Sequence, residues 1–186
     1  LLEPVRITPP LTGEAVSGLR AGMRVLISGK LLTARDAAHK KMVALLEKGE
    51  ELPVSLTDQI IYYVGPSPAP PGRVIGACGP TTSGRMDVYT PALLAQGLRG
   101  MIGKGFRSPE VLQALQAHHA VYFGAVGGAG ALLSKCVQSA RVVAYPELGP
   151  EAVYELTVSD FPAVVINDIY GGDLYRDGRR QYAVHK

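Results

Sequence analysis

The sequence predicts an α/β layered domain whose mixed sheet is at least partly parallel, and three observations support it. Short runs of β-branched and aromatic residues recur along the chain. Helix-start signals fall between them, and connections dense in proline and glycine separate the two. At 186 residues and 47% hydrophobic, the chain is long enough to bury a core as one domain over 1–186.

The stretch to Gly22 holds Pro4, Pro9 and Pro10 and reads as an extended arm with a loop (1–22). A strand is expected at 24–28. Thr33 followed by Asp36 resembles a capping box, opening a helix that runs through Met42 and Leu46 and stops at Gly49. β-branched and aromatic residues make 60–64 a second strand. The proline-rich run from Gly65 to Gly72 reads as an extended connection, and 74–77 as a third strand. Thr90-Pro91 and Ser108-Pro109 each set a capping residue before a proline suited to the first helical position, so two helices begin there. Further strands are expected at 101–103, 120–126, 141–145 and 163–168, with a helix over 129–136.

The net charge of +3 is mild and its lysines and arginines are scattered, unlike the basic stripe of a nucleic-acid binder. A small anionic ligand stays compatible. The longest apolar runs are far too short to cross a bilayer, and no basic-then-apolar signal opens the chain, so a cytoplasmic protein is expected. Cys78 and Cys136 lack CxxC spacing and read as free thiols of a reducing compartment, a single disulfide being the alternative. Two cysteines cannot supply the thiolates of an iron–sulfur cluster.

Polar groups gather at the ends of expected strands, where open α/β sheets place their sites. Arg35 falls in a first helical turn, beside N–H groups that lack intrahelical partners. It reads as a carboxylate or phosphate receptor, or as a solvated arginine at a helix end. His39 lies one turn on, on the same face, and reads as structural or catalytic. The segment CGPTTSGRMD, residues 78–87, combines glycines, three hydroxyls and Arg85. It suits an oxyanion-binding loop or a structural turn, and matches neither the phosphate loop of NTPases nor the dinucleotide fingerprint. Lys104, between two glycines after a buried strand, faces whatever occupies that cleft. The glycines of 127–130 read as close packing or as an anion-binding turn, and 171–173 as a turn. Adjacent His118 and His119 point apart on any regular element, and no metal site is expected.

Two runs carry a family resemblance: GPTTSGRMDVYTPALLAQGLRGMIGKG, from Gly79 to Gly105, and SGKLLTARDAAHKKM, from Ser28 to Met42. Both resemble the signatures of the C-terminal part of class I (iron–sulfur) fumarases. The later stretches AVGGAGALL and VVAYPELGPEAVYELTVSDFPAVVINDIYGGDLY are similar to the same family. The resemblance implies a swivelling β/β/α domain acting as the β subunit of a two-subunit hydro-lyase. The partner would be an α subunit holding a [4Fe-4S] cluster, in an α2β2 assembly. It further implies that Arg35 and Arg85 bind substrate carboxylates, that Lys104 contacts substrate, and that Thr81 is the base handling the carbon-bound proton. The implied reaction is reversible hydration of fumarate to (S)-malate. The β subunits of L(+)-tartrate dehydratase and mesaconase are rivals of the same architecture; a non-catalytic anion-binding regulatory subunit is the rival from another class.

That chemistry makes demands the residues can be checked against. A dianion held at both ends suits the bidentate fork of arginine. Removing a proton beside a carboxylate adds negative charge, and three cations would exceed the two charges of the ground state. A threonine hydroxyl is a very weak base and needs help from a carboxylate: Asp36, Asp87, or one from the α subunit.

Overall fold

Parallel strands need crossover connections, and helices supply most of them here. The computed structural model describes residues 3–182. In chain order its regular elements begin β1 (Val5–Ile7), α1 (Gly13–Ser17), β2 (Arg24–Thr33), α2 (Asp36–Glu47), β3 (Ile60–Tyr62) and α3 (Thr90–Ala95). They continue with β4 (Gly100–Gly103), α4 (Pro109–Ala117), β5 (Val121–Gly124), α5 (Gly130–Leu133), β6 (Val137–Ala144), β7 (Val153–Asn167) and α6 (Leu174–Tyr182).

β2, β3, β4 and β5 run parallel in that order. The long β7 is antiparallel both to β5 and to β2, which closes the sheet into a barrel-like ring. β1 lies parallel beside the start of β2, and β6 lies antiparallel beside the first half of β7. The chain is thus mixed α/β, with a sheet that is parallel only in part.

Side chains alternate along these strands between two buried layers. Ile60, Tyr62, Ile102, Val121 and Phe123 join Ile27, Phe161 and Val165 in one core. Ile61, Tyr63, Met101 and Tyr122 join Ala38 and Met42 of α2, Leu93 of α3 and Leu115 of α4 in the other. With both faces covered, β3 and β4 are buried at every position, as continuous apolar strands should be.

Several sequence expectations change. The N-terminal arm contains strand β1 and helix α1, whose first turn is capped by Thr12 accepting from Ala15 N. Residues 74–77 form no strand. Both edges of β3 and of β4 are already paired, and the segment folds back locally instead, with Ser67 N donating to Ala77 O. Thr33 does not cap α2: it is fully buried, its hydroxyl accepting from Tyr154 N at 3.0 Å. The strand expected at 163–168 is the end of the 15-residue β7. Ser108 does cap α4, accepting from Val111 N at 3.4 Å. Helix α6 has no counterpart among the expected elements. Its signal was Asp173, whose carboxylate accepts from Tyr175 N and Arg176 N.

Candidate functional site

The parallel direction of β2 to β5 brings their carboxyl ends to one edge, and the segments that follow carry the polar residues. Arg35 and Asp36 follow β2, Tyr63 to Gly65 follow β3, Lys104 follows β4, and Gly127 lies beyond β5. The loop of residues 78–87 docks across this edge by backbone hydrogen bonds. Thr81 N donates to Tyr63 O at 2.7 Å, Lys104 N to Thr81 O at 3.3 Å, and Ser83 N to Lys104 O at 2.9 Å. Thr81 and Lys104 are therefore direct neighbours in space.

Arg35 is the N-terminal capping residue of α2 but offers no side-chain cap. Glu151, from the turn before β7, does that work: its carboxylate accepts from Ala37 N at 3.4 Å and lies 3.3 Å from Arg35 Nη2. Arg35 Nε is buried with no hydrogen-bond partner among the described residues. A Cβ at Gly65 would stand 2.8 Å from Arg35 Nη1, so a side chain there would push the guanidinium aside.

Arg85 sits on a short 3-10 turn, Ser83–Met86, and forms an ion pair with Asp36. Arg35 and Arg85 are linked in this way through the first turn of α2. Lys104 is exposed, its aliphatic stem lying over Gly127. Close packing explains the neighbouring Gly130, where a Cβ would stand 2.8 Å from Gly79 N. Glu151 and Asp36 offset two of the three cations Arg35, Arg85 and Lys104, leaving one net positive charge.

Beneath this rim lies a buried polar layer that sequence reasoning missed. None of the Arg107 side chain is exposed. Its Nε donates to Asp87 at 2.7 Å, and its Nη2 to Thr90 Oγ1 at 2.8 Å and Tyr63 OH at 3.3 Å. The guanidinium lies against the rings of Tyr122 and Tyr63, 4.9 and 5.3 Å from their centroids. The other Asp87 oxygen accepts from Ser108 N at 2.6 Å. Thr90, expected as a cap, is instead buried inside the first turn of α3, its hydroxyl donating to Met86 O.

His39 is also fully buried. Its Nδ1 is 2.8 Å from Arg35 O, and since a carbonyl only accepts, Nδ1 carries the proton. Nε2 then bears a lone pair and has no partner among the described residues. Burial is the main cause that pushes its pKa down to about 4, with the nearby Arg107 charge adding to it. At neutral pH this imidazole is uncharged.

Residues 2–178 match the family described as Fumarase C-terminus. The chain belongs to this family. It is 41% identical over 155 residues to the aerobic class I fumarate hydratase of Escherichia coli strain K12, covering 82% of this chain and 28% of that protein. It is 40% identical over 164 residues to fumarate hydratase 2 of Leishmania major, covering 87% of this chain and 29% of the relative. The chain thus spans less than a third of the length of these fumarate hydratases. An archaeal protein of Methanocaldococcus jannaschii, provisionally named as the beta subunit of an L(+)-tartrate dehydratase, is 38% identical over 173 residues, 90% of this chain and 89% of its own.

The fumarase C-terminal domain seen here does not fit an iron–sulfur cluster of its own. Cys78 is buried, with Sγ 3.9 Å from Gly130 O, and burial pushes its pKa up to about 11. Both cysteines are free thiols. Among the described residues no group of three or more histidine, cysteine or acidic side chains could hold a metal. No helix of the described chain is long and apolar enough to cross a membrane.

Proposed function

We propose that this chain is the β subunit of a two-subunit class I fumarase, contributing half of a site that reversibly hydrates fumarate to (S)-malate. The observation that carries this reading is Arg35 Nε, a buried donor without a partner among the described residues, beside the start of a helix. An added carboxylate would satisfy it. In this reading Arg35 and Arg85 hold the two substrate carboxylates, Lys104 contacts the substrate, and Thr81 handles the proton on carbon.

Thr81 needs assistance as a base. Asp87 is committed to Arg107 and Ser108, whereas Asp36 meets Arg85 through one oxygen only and its Oδ1 has no partner among the described residues, so the assisting carboxylate is Asp36 or one from the partner. The surplus of cations expected from the sequence is likewise reduced to one net charge by Glu151 and Asp36. Further positive charge for the developing transition state therefore also comes from the partner. The partner is an α subunit that holds the [4Fe-4S] cluster, in an α2β2 cytoplasmic assembly. The closed mixed sheet with helices packed outside it supports a swivelling β/β/α domain.

A second reading, the β subunit of an L(+)-tartrate dehydratase, is favoured by the archaeal relative that this chain matches over 89% of its length. Mesaconate, one methyl larger than fumarate, is a third substrate to test. Anaerobic co-expression with an iron–sulfur partner, followed by assays on fumarate, L(+)-tartrate and mesaconate, separates them. The highest kcat/KM is expected on fumarate. Faster turnover of tartrate installs the second reading, and activity of this chain alone overturns the half-site.

A further inference from the structure

We propose that Arg107 is the positioning residue of the site: its buried guanidinium holds the loop bearing Thr81 and Arg85 in register with the strand end bearing Lys104. As an effect on catalysis this rests on the fumarase reading above; as an effect on loop geometry it does not.

The loop is tied down at two points, and Arg107 serves both. At its far end, Asp87 follows the 3-10 turn that carries Arg85, and its carboxylate bridges Arg107 Nε and Ser108 N. At its near end, Tyr122 OH donates to Gly105 O at 2.9 Å, so Ser83 Oγ must donate to Tyr122 OH, also at 2.9 Å. Arg107 packs its guanidinium against the Tyr122 ring, and it reaches Tyr63, whose carbonyl holds Thr81 N. One side chain thus connects the segment after β3, the loop, α3 and β5.

The fit allows little slack. A Cβ at Gly103 would stand 2.0 Å from Ser83 Oγ and 2.9 Å from the Tyr63 ring, so the loop seats directly on the backbone of β4. A buried arginine with this geometry is not replaceable by lysine, which keeps the charge but loses the fork that meets Asp87, Thr90 and Tyr63 together.

The test uses Arg107→Lys and Asp87→Asn in the full chain and in the complex with its partner. In the full chain, amide hydrogen exchange should speed up at Thr81, Ser83 and Asp87, while amides of β5 and β7 keep wild-type protection. In the complex, kcat/KM should fall by about tenfold or more, since a shift of ~1 Å at a site can cost about a hundredfold. KM should rise as well as kcat fall, and the double variant should lose no more than either single one. Unchanged loop exchange overturns the proposal. So does a lower active fraction with KM untouched, the mark of a merely structural residue. Should the wild-type complex turn over none of the dicarboxylates, the fumarase reading fails while the exchange experiment still decides the clamp.

Discussion

Arg85 and Arg107 stand on opposite sides of one loop and are used in opposite ways. The Arg85 side chain is 51% exposed and meets a single carboxylate, Asp36. Arg107 has no exposed side-chain surface, and it reaches a carboxylate, two hydroxyls and two aromatic faces. The same contrast runs through the whole region. On the rim Arg85 and Lys104 are exposed, whereas below them Asp87, Ser83 and two of the three Arg107 nitrogens are bonded within the protein, Arg107 Nη1 having no partner among the described residues. A buried arginine is held by the fold because an unpaired charge there is costly; a rim arginine is held loosely because water screens it.

The sharpest way to break that contrast is to empty the lower position. Arg107→Met leaves the mostly buried Asp87 without its cation and should destabilise the chain by about 3 kcal/mol. Urea unfolding measures this, and a loss no larger than that of Arg85→Met would erase the distinction between the layers.

His39 tests the lower layer by pH. Its folded pKa is about 4, against an ordinary value of 6.5, because burial disfavours the charged form. Between those values the unfolded chain binds a proton that the folded chain refuses. Stability from this group is therefore complete above pH 6.5 and falls as pH drops toward 4, by up to ~1.4 kcal/mol per pH unit. His39→Gln should flatten that part of the curve; equal slopes in variant and wild type between pH 7 and pH 5 would reject the account.

Gly103→Ala probes the contact between the layers. The added methyl meets Ser83 and Tyr63, an overpacking expected to cost about 1–3 kcal/mol. Thermal unfolding reads the loss, and a variant as stable as wild type would show that the loop can slide.

Arg85→Lys should have the smallest effect on folding, within about 0.5 kcal/mol. Its effect on turnover should be large, with a marked rise in KM from loss of the bidentate contact. Wild-type KM and kcat in the assembled enzyme would remove Arg85 from the substrate clamp.

Much of the proposed site can be picked out from the sequence because its residues are contiguous there. Arg35 and Asp36 share a helix start, and Thr81 and Arg85 share one glycine-bearing loop. Lys104 stood out between glycines. Arg107 and Glu151 were not legible, since nothing local separates them from the scattered surface charges of the chain. Arg107 lies among exposed residues in sequence and becomes buried only when Asp87, Thr90 and Tyr63 converge on it. Glu151 caps a helix by accepting from Ala37 N, 114 residues earlier in the chain.

The alternating runs of apolar residues and helix starts determined the α/β class, because side-chain periodicity and capping act over a few residues. The cysteine count limited just as directly what the chain can hold, since two thiols are fewer than a cluster needs. Tertiary structure decided the closure of the sheet through β7, which pairs with two strands far away in sequence. It also decided which charges are spent and which stay available. Burial and pairing depend on segments that meet only in the folded chain, so the difference between Arg85 and Arg107 has no counterpart in the order of residues.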